Sequence, residues 1–191
     1  HHMLLTRVPY AQGAQAKRLV QSKATSMRTE NGVLLACYDV VLQEDGSLER
    51  YRRIGEDEQA AGFKLYAYRE TAEDNPWLNN QAYADTLNPE TIQEFIRVTY
   101  DRYHEYFAED FGGVVPAIFT DEPQFSHKTT LDYAHEPRDV TLPWTPSLPE
   151  TYEAAYGADI LETIPELLWE VREGASVARY RYHDHITERF A

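Results

Sequence analysis

Gly112-Gly113-Val114-Val115-Pro116-Ala117-Ile118-Phe119-Thr120-Asp121-Glu122-Pro123 is the stretch on which the fold turns. Residues 114–120 are short and nearly all apolar, bounded by a glycine pair and an acidic Asp-Glu-Pro end. That is the pattern of a strand buried on both faces of a parallel sheet. Just upstream, Asn88-Pro89-Glu90 opens a helix. Asn is a good N-cap, Pro suits the first helical position, and Glu complements the positive end of the helix dipole. Ile92, Phe95, Ile96, Tyr103 and Phe107 recur on one helical face until Gly112-Gly113 ends the run. Residues 62–70 are a further strand. A polar loop of 17 residues, 71–87, joins it to the helix, longer than most connections and of a kind that is often functional. Strand, loop, helix and strand in this order predict a βαβ unit with a right-handed crossover.

The flanks are read from this unit outward. Residues 33–42 and 47–54 are two runs of strand-forming residues separated by Asp45-Gly46. Gly accepts the positive φ of a tight turn, so the pair predicts an antiparallel hairpin. Period-two alternation puts Leu48, Arg50, Arg52 and Ile54 on one face and Glu49, Tyr51 and Arg53 on the other. Residues 4–30 show no clear period and read as irregular, with a short helix near 15–22. Beyond Pro123, residues 124–149 read as a long loop containing Trp144. Helices are expected over 150–156, 159–171 and 175–190, punctuated by Gly157 and Gly174. His1-His2-Met3 reads as a purification-tag remnant. The chain thus divides into residues 1–3, an N-terminal segment 4–61 with the hairpin, and the βαβ and helical part 62–191.

Composition narrows the function. The chain has 191 residues, with 18 Lys and Arg against 32 Asp and Glu, for a formal net charge of −14. This balance argues against a nucleic-acid backbone or an anionic membrane as partner. No run approaches the roughly 18 apolar residues of a spanning helix, and residue 1 is not followed by a secretory pattern. Neither compartment nor oligomeric state follows from these counts. The single cysteine, Cys37, excludes an internal disulfide and sits in an apolar run, as a small buried hydrophobe would. Aromatic residues make up 13% of the chain, enough to line a core or a groove for ring-shaped ligands.

The chemistry-bearing residues cluster at loop positions. Acids at the carboxyl end of a buried parallel strand lie where α/β folds build active sites. Partial desolvation there raises a carboxyl group toward general-acid duty. Strand parity separates the two acids: Glu122 shares a face with Thr120 and Ile118, and Asp121 with Phe119 and Ala117. Glu122 is then the site-facing acid, and Asp121 orders the loop. The plainer alternative is that both simply begin a polar loop. Trp77 and Trp144 fall in predicted loops, where a flat ring beside polar groups suits the apolar face of a sugar; each fits a small loop core equally well. Asn79 and Asn80 offer donors and acceptors to hydroxyls, although Asn is also a common turn residue. Trp169 reads as core. His127 and His135, beside Asp132 and Glu136, match no strong zinc spacing. His183 and His185 lie roughly 200° apart on a helix and do not converge. Loop carboxylates are compatible with calcium, but no metal ligand and no cofactor is assigned. Gly-rich phosphate loops and a Gly-x-Ser-x-Gly elbow are absent from the sequence.

The stretch Ala82-Tyr83-Ala84-Asp85-Thr86-Leu87-Asn88-Pro89-Glu90, followed by the helix and then Ile118-Phe119-Thr120-Asp121-Glu122-Pro123, resembles the bacterial glycoside hydrolases around the α-L-rhamnosidases. Leu148-Pro149, Tyr156-Gly157 and Arg179-Tyr180-Arg181-Tyr182 resemble the helices that follow in that group. The likeness covers residues 62–191. It implies a (β/α)8-barrel catalytic domain acting on glycosides, with Glu122 as a catalytic or sugar-contacting carboxylate and Asp85 and Asn88 near the site. The expected fold is therefore α/β: a partial TIM barrel with an N-terminal β-hairpin and C-terminal helices. A full barrel takes about 250 residues, so the chain reads as a segment of a longer enzyme. Glycoside hydrolysis usually uses two carboxylates. Glu70 and Asp85 are the partners open to Glu122 within the chain, and a later strand outside it is the other source. The rival expectation is a carbohydrate-binding or structural unit without catalysis; a regulatory interaction module has only the net charge behind it.

Overall fold

The computed structural model describes residues 1–10, 32–72, 74–172 and 174–191. The short helix expected near 15–22 lies outside them. Five strands form one antiparallel sheet: β1 (His2–Thr6), β2 (Val33–Leu42), β3 (Leu48–Ile54), β4 (Phe63–Glu70) and β5 (Val140–Pro143), in the order β3-β2-β4-β1-β5. The helices are α1 (Pro89–Val98), α2 (Tyr100–Phe107), α3 (Leu148–Tyr156) and α4 (Val177–Phe190).

This architecture corrects the expected partial TIM barrel. Among the described residues every strand pairing is antiparallel. The decisive stretch, 114–120, is not a strand: Val114 and Phe119 are 86% and 84% exposed. The strand that follows the helices is β5, inside the segment expected to be loop. β1 pairs with both β4 and β5, so β4 and β5 run the same way with β1 inserted antiparallel between them. The place a parallel neighbour would take beside β4 is filled by residues 2–6. His2 and Met3 thus lie in β1, and Leu4–Thr6 belongs to a strand where irregular chain was expected.

The hairpin forms as predicted. Gly46 takes a φ of +86°, and the Gly46 N–H donates to the Gln43 carbonyl at 3.0 Å. Its face assignment needs one correction. The register slips between Val41 and Leu42, so Val41 faces Arg50 while Leu42 faces Leu48, leaving Glu49 as the extra residue of a bulge. Leu48 therefore joins Tyr51 on the main-core side, and Ile54 joins the opposite cluster.

The main core lies between one sheet face and the C-terminal elements. Met3, Leu5, Tyr38, Leu65 and Leu142 from the sheet meet Trp144, Tyr152, Ile160, Trp169 and Tyr182. The predicted helix over 159–171 appears as two 3-10 turns, Ile160–Glu162 and Ile164–Leu167, since Pro165 removes a donor that a continuous helix needs. Tyr38 Oη donates to the Leu161 carbonyl at 2.5 Å and Tyr182 Oη to the Pro143 carbonyl at 2.5 Å, and burial pushes both phenols well above their ordinary range. The second face carries a smaller cluster of Leu4, Cys37, Ile54, Tyr66 and Tyr68. Cys37 is buried there, and burial raises its thiol pKa. Asp39, also buried, accepts from the backbone N–H groups of Gly62 at 2.9 Å and Ala61 at 3.1 Å; the Gly62 bond foremost lowers its pKa.

His185, buried on α4, shares a hydrogen bond between Nε2 and Thr151 Oγ1 at 2.9 Å and lies edge-on to Tyr152 and Tyr156. Burial, and then Arg189, lower its pKa. Burial likewise lowers that of His183, with Lys128 adding to it. Such groups bind protons better in the unfolded chain. Stability is therefore full above the free-histidine pKa of about 6.5 and falls as pH drops below it. His185→Gln is expected to flatten the dependence of the urea midpoint on pH between about 5 and 6.5; an unchanged slope would exclude His185 as its source.

Candidate functional site

A cleft of about 530 Å³ opens between the loop after β4 and residues 121–127. Its first wall is built by local backbone chemistry. The Asn75 side chain accepts from the Trp77 N–H at 2.9 Å and caps a 3-10 turn, Pro76–Leu78. Asn79 and Asn80 then take left-handed φ values of 57° and 56°, and the Asn80 N–H returns to the Asn75 carbonyl at 3.0 Å. Asn tolerates this conformation better than most residues. The two asparagines therefore shape the turn and do not line the cleft, whereas Trp77 does, with 90% of its surface exposed.

Asp85 sits at the base of the same wall. Its Oδ2 accepts from Thr145 Oγ1 at 2.8 Å and its Oδ1 from the Leu87 N–H at 3.3 Å. Thr145 is fully buried, so Asp85 ties the cleft to the core just before α1. The Asn88 side chain caps α1 by accepting from the Glu90 N–H at 3.1 Å, as expected. Arg189 of α4 donates to the Leu87 carbonyl at 2.9 Å.

The second wall is stitched to the first. Thr86 Oγ1 donates to the Gln124 carbonyl at 2.7 Å, and the Gln124 N–H donates to Tyr83 Oη at 3.3 Å. Phe125 packs edge-on against Phe190 of α4, with ring centroids 4.9 Å apart. Asp121 and Glu122 both line the cleft. This corrects the parity argument, which holds only for a strand. Glu122 has a φ of +36°, so the chain turns at the second acid and presents neighbouring carboxylates to one space. A non-glycine residue in that region costs on the order of 1 kcal/mol or more. Both acids are exposed; neither lies at a buried strand end.

Four of the residues singled out from sequence thus meet in one cleft: Trp77, Asp85, Asp121 and Glu122. Trp144 does not. It is 0% exposed and belongs to the main core, since it directly follows β5 rather than sitting in a loop. Trp169 is core too, donating from Nε1 to the Ala134 carbonyl at 2.8 Å. Glu70, a possible second carboxylate by its place at a strand end, is buried; it accepts from Tyr10 Oη and bonds His2 Nε2, both at 2.8 Å. Tyr83, Thr86, Gln124 and Ser126 are further polar residues of the lining. Tyr83 and Thr86 fall in the 82–90 stretch that carries the resemblance, whereas nothing in the sequence marks Gln124 or Ser126; they are brought in by the stitching of 83–86 to 124. His127 also lines the cleft, but it forms no metal cluster with His135, Asp132 and Glu136. Among the described residues no group of three or more His, Cys, Asp or Glu side chains could hold a metal ion, and no helix is long and apolar enough to cross a membrane.

No family model, curated protein or solved structure matches the chain.

Proposed function

We propose that this cleft is a carbohydrate site and that Glu122 acts in it as the general acid or base of glycosidic bond cleavage. The observation that carries the reading is Trp77, an almost fully exposed indole at a cleft edge beside carboxylate, hydroxyl and amide groups. An apolar ring face costs free energy in water unless a ligand covers it, and a pyranose offers both an apolar face to the ring and hydroxyls to the polar groups. The resemblance of residues 82–90 and 118–123 to the α-L-rhamnosidase group supports the same ligand class. In cleavage, a protonated Glu122 would donate to the departing glycosidic oxygen, and a second carboxylate would activate water or attack the anomeric carbon. Asp85 has both oxygens engaged by Thr145 and Leu87. Asp121 is the cleft carboxylate left for that second role.

One observation favours a second reading, binding without turnover. Asp121 and Glu122 are exposed, whereas a site of catalysis usually excludes water from its reacting groups.

The three tryptophans make the test direct. Trp144 and Trp169 are buried and Trp77 is exposed, so iodide is expected to quench Trp77 emission selectively. A panel of neutral oligosaccharides, rhamnose-containing ones included, is expected to protect it. Trp77→Ala is expected to abolish both quenching and binding while leaving the urea midpoint unchanged, because the side chain buries nothing. Chromatography of the same mixtures separates the readings: new reducing ends mean cleavage, and protection with intact oligosaccharide means binding alone. No protection by any sugar overturns the carbohydrate assignment.

A further inference from the structure

The most anomalous surface of the molecule lies away from this cleft. α1 and α2 are amphipathic, yet no residue of either is buried. Apolar side chains of α2 line a groove instead of a core. It has a volume of about 400 Å³ and is walled by Tyr100, Tyr103 and Phe107 from α2 and by Phe111, Val115 and Ile118 from the chain that follows. Tyr103 is 64% and Ile118 52% exposed. Exposed apolar patches of this kind mark interaction surfaces in soluble proteins.

The charge of the segment leading into the groove says what covers it. Residues 89–111 carry Glu90, Glu94, Asp101, Glu105, Glu109 and Asp110 against only Arg97 and Arg102. Arg97 is already committed, donating from Nη2 to Glu94 Oε1 at 2.5 Å and from Nε to Glu94 Oε2 at 2.7 Å. An apolar groove carried by so acidic a segment disfavours a second copy of the chain, which would bring like charges together under a net charge of −14 per molecule. We infer that the groove between α2 and residues 111–118 is a docking site for a cationic amphipathic helix of a partner protein. Apolar anchors spaced one helical turn apart enter between Tyr103, Phe107 and Ile118. Lys or Arg residues flanking those anchors answer the negative charge of residues 89–111.

Calorimetric titration of three 14-residue peptides tests this: one with Leu and Lys at helical spacing, its isomer with Leu and Lys in strict alternation, and the helical pattern with Glu in place of Lys. Tight binding is expected only for the first, weakening as salt rises because most acids of this segment are solvent-exposed and their attraction is screened. Ile118→Asp and Phe107→Ala are each expected to weaken it about tenfold or more, the usual loss on truncating a central anchor. Both positions are exposed, so the fold is expected to survive. An unchanged urea midpoint verifies this, and Tyr103→Ala replaces either variant that fails. Equal binding of the Lys and Glu peptides, or Lys-peptide binding unaffected by these substitutions, overturns the inference. So does a dimer in sedimentation equilibrium that Ile118→Asp dissociates, since the occupant is then a second copy.

Discussion

Trp144→Ala is expected to lower the unfolding free energy by about 3–5 kcal/mol, the range for removing a large aromatic side chain from a packed core. Trp144 is 0% exposed and sits among Leu142, Leu148, Tyr152 and Tyr182 in the main cluster. A loss of that size is a large fraction of the 5–15 kcal/mol that holds a typical domain together. The effect should reach the cleft, because the next residue, Thr145, holds Asp85; a shifted β5 terminus loosens the turn that leads into α1. Trp144→Phe is expected to cost much less. The phenyl ring keeps much of the apolar contact, and the indole Nε1, which is buried without a hydrogen-bond partner among the described residues, is removed along with its desolvation cost. Urea denaturation of the three proteins at one pH measures both differences. If Trp144→Ala shifts stability by less than about 1 kcal/mol, Trp144 is not the core residue its burial makes it.

Trp144 also shows where sequence reasoning reaches its limit. The features that were legible are those decided by neighbouring residues. Asp45-Gly46 sets the hairpin turn through the φ that glycine allows, and Asn88-Pro89-Glu90 sets the start of α1 through one side-chain cap. The features that were missed depend on what the chain meets elsewhere. Residues 114–120 have a strand's composition, but a strand exists only if another strand pairs with it, and here residues 2–6 occupy the position beside β4. β5 is four residues long and ends in Pro143, too short for any period to show, so the sequence around Trp144 reads as loop. The bulge at Glu49 inverts one face assignment without leaving a mark in the alternation. The site follows the same division. Trp77 is legible from its place in a polar loop, Asp85 from the 82–90 motif, and Asp121 and Glu122 as the acids that close an apolar run; the four share a cleft. The role given to each acid rested on strand parity, which vanished with the strand. The partners Tyr83, Thr86 and Gln124 come from hydrogen bonds across 38 and 41 positions, a separation to which local patterns are blind.

On the proposed reading of the cleft as a site of glycoside cleavage, Glu122→Gln is expected to cut turnover by at least about 100-fold, the low end for losing a general acid or base, while leaving protection of Trp77 by oligosaccharide unchanged. The substitution keeps the side chain's size and its ability to hydrogen-bond to sugar, and it removes only the proton chemistry. It also keeps the backbone problem, since Gln at a φ of +36° is as strained as Glu. Glu122→Gly supplies the complementary test. Glycine adopts positive φ readily, so this variant is expected to gain stability, by on the order of 1 kcal/mol less its greater unfolded-chain entropy, and still to lose turnover. A residue that mattered only for the shape of the loop would behave otherwise, with activity tracking backbone conformation and Glu122→Gln remaining active. Asp121→Asn completes the set: if Asp121 is the second carboxylate, its loss depresses turnover to a similar degree, and the double variant falls little below either single one, as residues acting in one unit do. Full activity in Glu122→Gln removes Glu122 from the mechanism; activity in Asp121→Asn alone leaves Glu122 as the acid and returns the search for its partner to Asp85, whose carboxylate would first have to give up Thr145 or Leu87.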